Sequence, residues 1–573
     1  MSFKNAKEPL RDMMQKARRA LIYAGLFSFF MNFLSVLLPV YSLQVLDRVL
    51  SSHSLETLVV LTLIVVVAFL FYGLFYALRS FVLSAIVEWM DVTLAPKLLR
   101  ISLTQMAIGE SLSASQIQRE LMNIKQFVGS GLATLMDAPW SVLFIFIVFL
   151  IHPVLGVIGI FGAITMFGFA LINEWASRRP LDEAQENQVQ SMQMIDLATR
   201  SAEAVEAMGM MRHVLERWNT FRKDGQVKAN LASRRSQVIQ SCSRAARMII
   251  QIMIIGAGGY LALQNALTVG GMIASSILIG RALGPFDAAI GVWKSFVAAR
   301  DSYKRINTLL VHARDDRGSM EMPAPKGDLL VEGLYYQPKT SPVPTVKNVN
   351  FALKAGESLG VIGPSAAGKS TLAKLIVGVL PPNHGAVRLD GAELYKWSRD
   401  DVGQYIGYMP QQIDLFAGTI HDNIARMHPN PDSKAVIEAA QMAGCHEMVM
   451  RFPNGYETEY MTVARTLSPG QCQRIALARA LYGRPRYVVM DEPNSNLDGE
   501  GERALLRALQ HMKQAGITYI IVAHKPSIVG MVDKVAMLRD GVLEHFGPRD
   551  EVLKLFTGGG KKPAPQQGEQ NGE

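Results

Sequence analysis

Cysteine is scarce in this chain of 573 residues: Cys242, Cys445 and Cys472 are its only thiols, far apart and without CxxC spacing. That excludes a disulfide framework and a cysteine zinc site, and fits a reducing cytoplasm. Charge is thin as well. Charged residues make up 19% against 49% hydrophobic, too apolar for a soluble enzyme. Nor is a cleavable signal peptide expected. Lys4, Lys7, Arg11, Lys16, Arg18 and Arg19 precede an apolar run that opens at Leu21 and continues towards Leu46. That run is long enough to span a bilayer, so it predicts an uncleaved first helix. The net charge of +9 would suit nucleic acid. Lys and Arg flanking membrane helices account for it, and no nucleic-acid partner is expected.

Six runs do reach the length of about 20 apolar residues that a spanning helix needs, at about 21–46, 55–78, 132–151, 154–173, 248–267 and 270–292. The short separators between them carry one basic residue, Arg48. The N-terminal arm and the long connections carry many, among them Arg79, Lys97, Arg119, Arg178, Arg212 and Arg234. By the positive-inside rule both termini face the cytoplasm. The long connections, about 79–131 and 174–247, are nearly free of Pro and Gly and carry apolar residues at helical spacing. The simplest expectation is that the membrane helices continue into the cytoplasm and turn back there. A separate soluble helical insert is the alternative.

After about residue 325 the composition becomes that of a soluble α/β domain. Leu359-Gly-Val-Ile362 reads as a buried strand. It is followed by Gly363-Pro364-Ser365-Ala366-Ala367-Gly368-Lys369-Ser370-Thr371 and a helical run. This is GxxxxGK[ST] in the strand–loop–helix setting it requires, a P-loop for ATP. Loop N–H groups cradle phosphates, Lys369 reaches the β/γ-phosphates, and Ser370 ligates Mg²⁺. Tyr487-Val-Val-Met490 is a second buried strand ending in Asp491-Glu492. Asp491 is the expected Mg²⁺ partner, and Glu492 the group that orients or deprotonates the attacking water.

Leu467-Ser468-Pro469-Gly470-Gln471 resembles the signature of ABC ATPases, normally LSGGQ, and its neighbours agree: Gln411 in Tyr408-Met-Pro-Gln411, Ser495-Asn-Leu-Asp498, and His524 after a strand. In that family the Gln senses Mg²⁺ and the membrane domain, the Asp loop crosses the dimer, and the His contacts the γ-phosphate. The signature of one subunit caps the nucleotide on the P-loop of the other. The resemblance thus implies a dimer with Ser468, Gly470, Gln471 and Asp498 facing the partner's ATP; a homodimer is the economical solution, a heterodimer with a degenerate partner the alternative. Pro39-Val-Tyr-Ser-Leu-Gln-Val-Leu-Asp-Arg-Val49, Asp137-Ala-Pro-Trp140, Gly280-Arg-Ala-Leu-Gly-Pro285 and Asp491-Glu-Pro-Asn-Ser-Asn-Leu-Asp498 narrow the likeness. They are similar to type I secretion ABC transporters, in the branch that exports metalloproteases, lipases and other RTX-like proteins.

That resemblance implies an ATP-hydrolysing exporter in the bacterial inner membrane. It would act with a periplasmic membrane fusion protein, an outer-membrane channel and an unfolded protein substrate bearing a C-terminal signal. An exporter of lipids or small amphiphiles, and a regulatory ABC module that binds ATP without pumping, are the alternatives. The implied layout is a cytoplasmic arm (1–20), a six-span helical membrane domain with cytoplasmic extensions (21–317), a linker (318–327), an α/β P-loop ABC ATPase domain (328–556) and a low-complexity tail (557–573). With only about 20 residues before the first helix, no peptidase domain of the leader-cleaving kind is expected. By the same resemblance each long excursion should carry a coupling helix, with Ala207–Arg217 the candidate in the second; an ordinary amphipathic helix is the plainer reading. The chain departs from the pattern at several points. Ala366 stands where a P-loop usually has Gly, Pro469 removes an N–H from the signature, and Met461-Thr-Val-Ala464 replaces the usual Gly-Glu-Arg-Gly. The adenine-stacking aromatic falls near Pro338, so that Tyr336 or Tyr335 substitutes for it or no aromatic does.

Arg281 is the unusual residue of the sixth span. Eleven residues past Gly270, it lies about 16 Å deep, near the midplane. A charge there is costly and seldom faces lipid. It either lines the path of the polypeptide or pairs with Asp137 or Asp287.

Overall fold

The computed structural model describes residues 9–109, 114–312, 323–339, 341–464 and 466–557. The first residues of the arm, residues 318–322 of the linker and all but the first residue of the tail lie outside the described residues. The chain divides into two compact units, residues 1–106 with 110–314 and residues 107–109 with 315–573.

The first unit is helical, and among the described residues six helices are apolar and long enough to cross a membrane: Arg18–Ser52, Leu55–Ala107, Gln116–Ile151, Pro153–Thr199, Met211–Leu263 and Val269–Leu310. Apolar run and polar connection belong to the same helices. The second covers 53 residues, about 80 Å at 1.5 Å per residue, against a hydrocarbon core of about 30 Å. The separate soluble insert is thereby overturned. The third and fourth helices break at His152-Pro153. A residue before proline is driven out of the α region, and His152 is extended at φ −157° and ψ 129°. Its Nδ1 accepts the Val154 N–H at 3.2 Å, capping the helix that Pro153 opens. The candidate coupling segment Ala207–Arg217 is not one helix. A short helix ends at Ala207, Gly209 turns the chain at φ 64°, and the fifth span opens at Met211.

Phe144, Met166, Ile254, Leu278 and Leu283 form the apolar centre of this unit. Buried polar clamps tie its helices. Arg79 Nη1 donates to both Asp137 oxygens at 2.8 and 2.9 Å and to Ser28 Oγ at 2.9 Å, and Asn32 donates to Asp137 at 3.1 Å. Arg247 meets Asp287 at 3.1 Å, and Ser243 donates to the same carboxylate. Pro180, inside the fourth span, cannot bond the Ala176 carbonyl one turn earlier. Arg235 of the fifth span supplies the missing donor at 3.1 Å.

The second unit holds two sheets. Strands β1 (Leu329–Tyr336), β2 (Val346–Leu353), β4 (His384–Leu389) and β5 (Ala392–Glu393) form an antiparallel sheet in the order β2-β1-β4-β5. The larger sheet runs β10-β9-β3-β8-β7-β6, from β3 (Ser358–Ile362), β6 (Ile406–Met409), β7 (Tyr487–Asp491), β8 (Thr518–Val522), β9 (Lys534–Arg539) and β10 (Val542–Pro548). All its pairs are parallel except the β9–β10 hairpin at the edge. Every residue of β3, β7 and β8 is buried, as expected of parallel strands covered on both faces. The helices used below are α1 (Lys369–Ile376), α2 (Pro469–Leu481) and α3 (Gly499–Gln514).

Candidate nucleotide site

In a parallel sheet, ligands meet the carboxyl ends of the strands. Four such ends converge here. The loop 363–368 leaves β3 and enters α1, Asp491-Glu492 ends β7, Ala523-His524 follows β8, and Gln411 follows β6.

The loop is built for close backbone approach. A Cβ on Gly363 (φ 152°) would stand 2.1 Å from the Leu538 carbonyl oxygen, and one on Gly368 (φ 95°) 2.4 Å from that of Thr345. Glycine is therefore obligatory at both places. The Gly541 N–H, in the β9–β10 turn, donates to the Ala367 carbonyl at 3.2 Å and braces the loop from behind. Ala366 adopts φ 63°, a left-handed conformation that costs a Cβ-bearing residue about 1 kcal/mol. Lys369 is buried and donates to the carbonyls of Gly363 and Pro364 at 2.9 and 2.8 Å, which sets its Nζ inside the loop. Burial pulls its ammonium pKa down, opposed by the charges of Glu492 and Asp491.

Ser370 Oγ lies 3.2 Å from Asp491 Oδ1. Burial raises the Asp491 pKa above the usual carboxylate value, the Ser370 hydrogen bond works against it, and the Glu492 charge reinforces it. A buried carboxylate beside a hydroxyl at the foot of a P-loop is a hard-oxygen donor set that fits Mg²⁺. Glu492 is held in the left-handed region at φ 50° while its N–H donates to the Val522 carbonyl at 3.0 Å. Strained backbone of this kind is enriched at functional sites. Gln411 Nε2 donates to Glu492 Oε2 at 3.0 Å, and His524 Nε2 lies 3.5 Å from Oε1, so the carboxylate is bracketed on both sides.

Around the signature, Ser468 caps α2. Its hydroxyl accepts the Gln471 N–H at 3.2 Å and its own N–H donates to the Gln471 side chain at 2.9 Å. Pro469 takes the first helical position, where the helix needs no N–H. A Cβ on Gly470 would come 2.7 Å from the Asn496 carbonyl oxygen, so this glycine lets the signature pack on the Asp loop. Asp498 caps α3 by accepting the Gly501 N–H at 2.8 Å.

Tyr336 is a correction. A register shift in β1 between Val331 and Leu334, with Gly333 at φ 55°, changes the inward parity of the strand. Tyr336 thereby enters the core with 9% of its surface exposed, and its ring is not offered for stacking. Tyr335 is half-buried instead, its ring centroid 5.8 Å from that of His384. Arg281 is exposed. Both proposed pairings fail because Asp137 is held by Arg79 and Asp287 by Arg247.

The sequence reading missed Gln473. This α2 residue, 2% exposed, donates to the Glu492 carbonyl at 3.4 Å and accepts the Asn496 N–H at 3.2 Å. It links the signature helix, the acidic strand tip and the Asp loop. Its only signal in sequence is a polar residue within an otherwise buried helical face.

Residues 21–286 match the family model of the ABC transporter transmembrane region, and residues 346–495 that of the ABC transporter. The type I secretion system ATP-binding protein PrsD of Rhizobium meliloti is 38% identical over 546 residues, 95% of this chain and 93% of that protein. The leukotoxin translocation ATP-binding protein LktB of Mannheimia haemolytica is 27% identical over 558 residues, covering 95% of this chain and 77% of that protein. In fold, a bacterial Atm1-family ABC exporter with ATP bound aligns at a TM-score of 0.79 with 20% identity, over 94% of this chain and 96% of that one. With a P-loop and signature in one unit, six spans in the other, and a relative this similar along its whole length, the chain belongs to the ABC transporters of type I secretion systems.

Proposed function

We propose that this multi-pass membrane protein is the energising ATPase of a type I secretion system, exporting an unfolded protein across the bacterial inner membrane. The observation that carries the reading is that both halves match together: the likeness to a type I secretion ATP-binding protein runs over 95% of the chain. Two copies work as a dimer, with both termini in the cytoplasm. The partners are a membrane fusion protein, an outer-membrane channel and a secreted protein with a C-terminal signal, in the branch that handles proteases, lipases and RTX-like proteins.

Bound Mg²⁺·ATP supplies the phosphoanhydride whose hydrolysis powers the cycle. Loop N–H groups from Gly363 to Thr371, with Pro364, Ser365, Ala366 and Ala367 shaping the turn, hold phosphate oxygens. Lys369 turns from the two carbonyls it now bonds to those oxygens. Ser370, Asp491 and Gln411 would hold the cation. Glu492, kept in place by Gln411, takes a proton from the attacking water, and His524 steadies the developing charge. Ser468, Gly470, Gln471 and Asp498 meet the nucleotide of the partner copy. Dimer closure is then favoured by ATP and released after hydrolysis, a ligand with different affinity for two states. Arg281, exposed and with no ion pair among the described residues, faces the translocating polypeptide.

The test is Glu492→Gln. Turnover should fall by about 10²-fold or more while ATP still binds. The purified variant should become an ATP-locked dimer, and cells carrying it should not secrete a reporter with the C-terminal signal. A variant that stays monomeric with ATP would refute the two-copy site. ATPase stimulation by lipids but not by signal-bearing protein would refute protein export.

A further inference from the structure

The third, fourth, fifth and sixth helices enclose a cleft of about 390 Å³ within the first unit, the fifth contributing Ala229. It lies on their extensions beyond the apolar runs, on the side where a cytoplasmic substrate would load. Its lining is unusual in kind. Gln126 of the third helix and Gln185, Gln188 and Gln193 of the fourth face the cleft, and none of their side chains has a hydrogen-bond partner among the described residues. Met122 and Met192 supply the apolar contribution. Charges of both signs line it, Arg119 and Lys294 with Asp196 and the buried Glu120.

One wall is fixed. Glu120 receives two bonds from Arg305, both at 2.8 Å, and one from Ser302 at 2.6 Å, while Asn123 donates to Ser302 at 3.1 Å. This pins the third helix to the sixth with Glu120 buried. The glutamines on the fourth helix are left to bond something else.

A carboxamide carries one acceptor and a two-proton donor, the same pair of functions as a peptide group. A row of them matches any extended backbone whatever its side chains. Methionine adds a pliable apolar surface of the kind used by promiscuous binders. Charge of both signs along the lining leaves no single-sign field to sort substrates. A folded ligand would bury its backbone groups in its own secondary structure and offer them nothing.

Resting on the export reading above, we infer that this cleft is a loading site that grips unfolded polypeptide through its backbone, independently of sequence and charge. The test uses the full chain in lipid nanodiscs with benzoylphenylalanine placed at Gln188 or, as a control, at Gln190, which is exposed but does not line the cleft. The probes are three short unstructured peptides, one neutral, one acidic and one basic. The expected result is photocrosslinking from position 188 to all three, at least about fivefold above position 190. Replacing both Gln185 and Gln188 by Leu should weaken peptide binding about tenfold, the loss of roughly two modest hydrogen bonds, with Asn at both positions restoring part of it. Equal crosslinking from both positions, crosslinking to one charge class only, or unchanged affinity in the Leu variant would overturn the inference. ATPase activity measured alongside separates the two readings. Peptides that stimulate turnover without reaching position 188 sink the cleft and leave protein export standing. Peptides that do neither, with lipids stimulating instead, sink export itself.

Discussion

The two units bury opposite kinds of residue. In the ATPase unit the most apolar stretches are the most hidden: every residue of β3, β7 and β8 is buried. In the membrane unit the most apolar helix is the least hidden. The second span has no buried residue in its most apolar 18-residue stretch, whereas the less apolar sixth span has half of its stretch buried. Leu63 and Leu70 of the second span are 62% and 69% exposed. The difference lies in the solvent. Water drives apolar side chains into the sheet, while lipid tails solvate them and leave polar contacts to tie helices together. Arg79 with Asp137 and Arg247 with Asp287 do for the first unit part of what Tyr487 and Ile520 do for the second.

Truncating a leucine in each unit breaks the comparison most directly. Leu359→Ala, in β3 with no exposed surface, should cost about 2–5 kcal/mol. Leu63→Ala in the second span should change stability by less than about 0.5 kcal/mol in a bilayer. Thermal unfolding in nanodiscs measures both, and equal losses would refute the lipid-facing assignment. Asp137→Leu, which strands the Arg79 guanidinium, should cost about 3 kcal/mol, with Arg79→Leu added to it recovering much of the loss. If the double variant is no better than the single one, the clamp is not acting as a pair.

Smaller effects sharpen the picture of the ATPase unit. Gln473→Leu should lower kcat about tenfold with little change in the KM for ATP, because it loosens Glu492 and the Asp loop without touching the P-loop. A change in KM alone would place its role elsewhere. Ala366→Gly should relieve about 1 kcal/mol of backbone strain, visible as a higher melting temperature of the nucleotide-free protein. A drop would mean that glycine's extra freedom in the unfolded chain outweighs that strain.

Much of this was legible in sequence because the signals are local. The P-loop needs its glycines at fixed spacing, Pro153 forces the break at His152, and runs of about 20 apolar residues are bilayer-sized. Pro469 read as a defect in the signature, yet at the first position of α2 it costs the helix no bond. Tyr336 read as a stacking platform, yet a one-residue register shift in β1 turned it inward. Arg281 read as a possible partner of Asp137 or Asp287, yet both acids were already held.

The sequence by itself determined the number of spans and the ATPase family, and it singled out the candidate residues of the nucleotide site, because each follows from short-range pattern and the reach of a few side chains. Only the tertiary structure decided which acid meets which arginine, that Gln411 and His524 bracket Glu492, that Gln473 joins three motifs, and that unpartnered glutamines gather in one cleft. Those facts depend on residues scores of positions apart being brought within about 3 Å, the range of a hydrogen bond, and no local pattern encodes such a meeting.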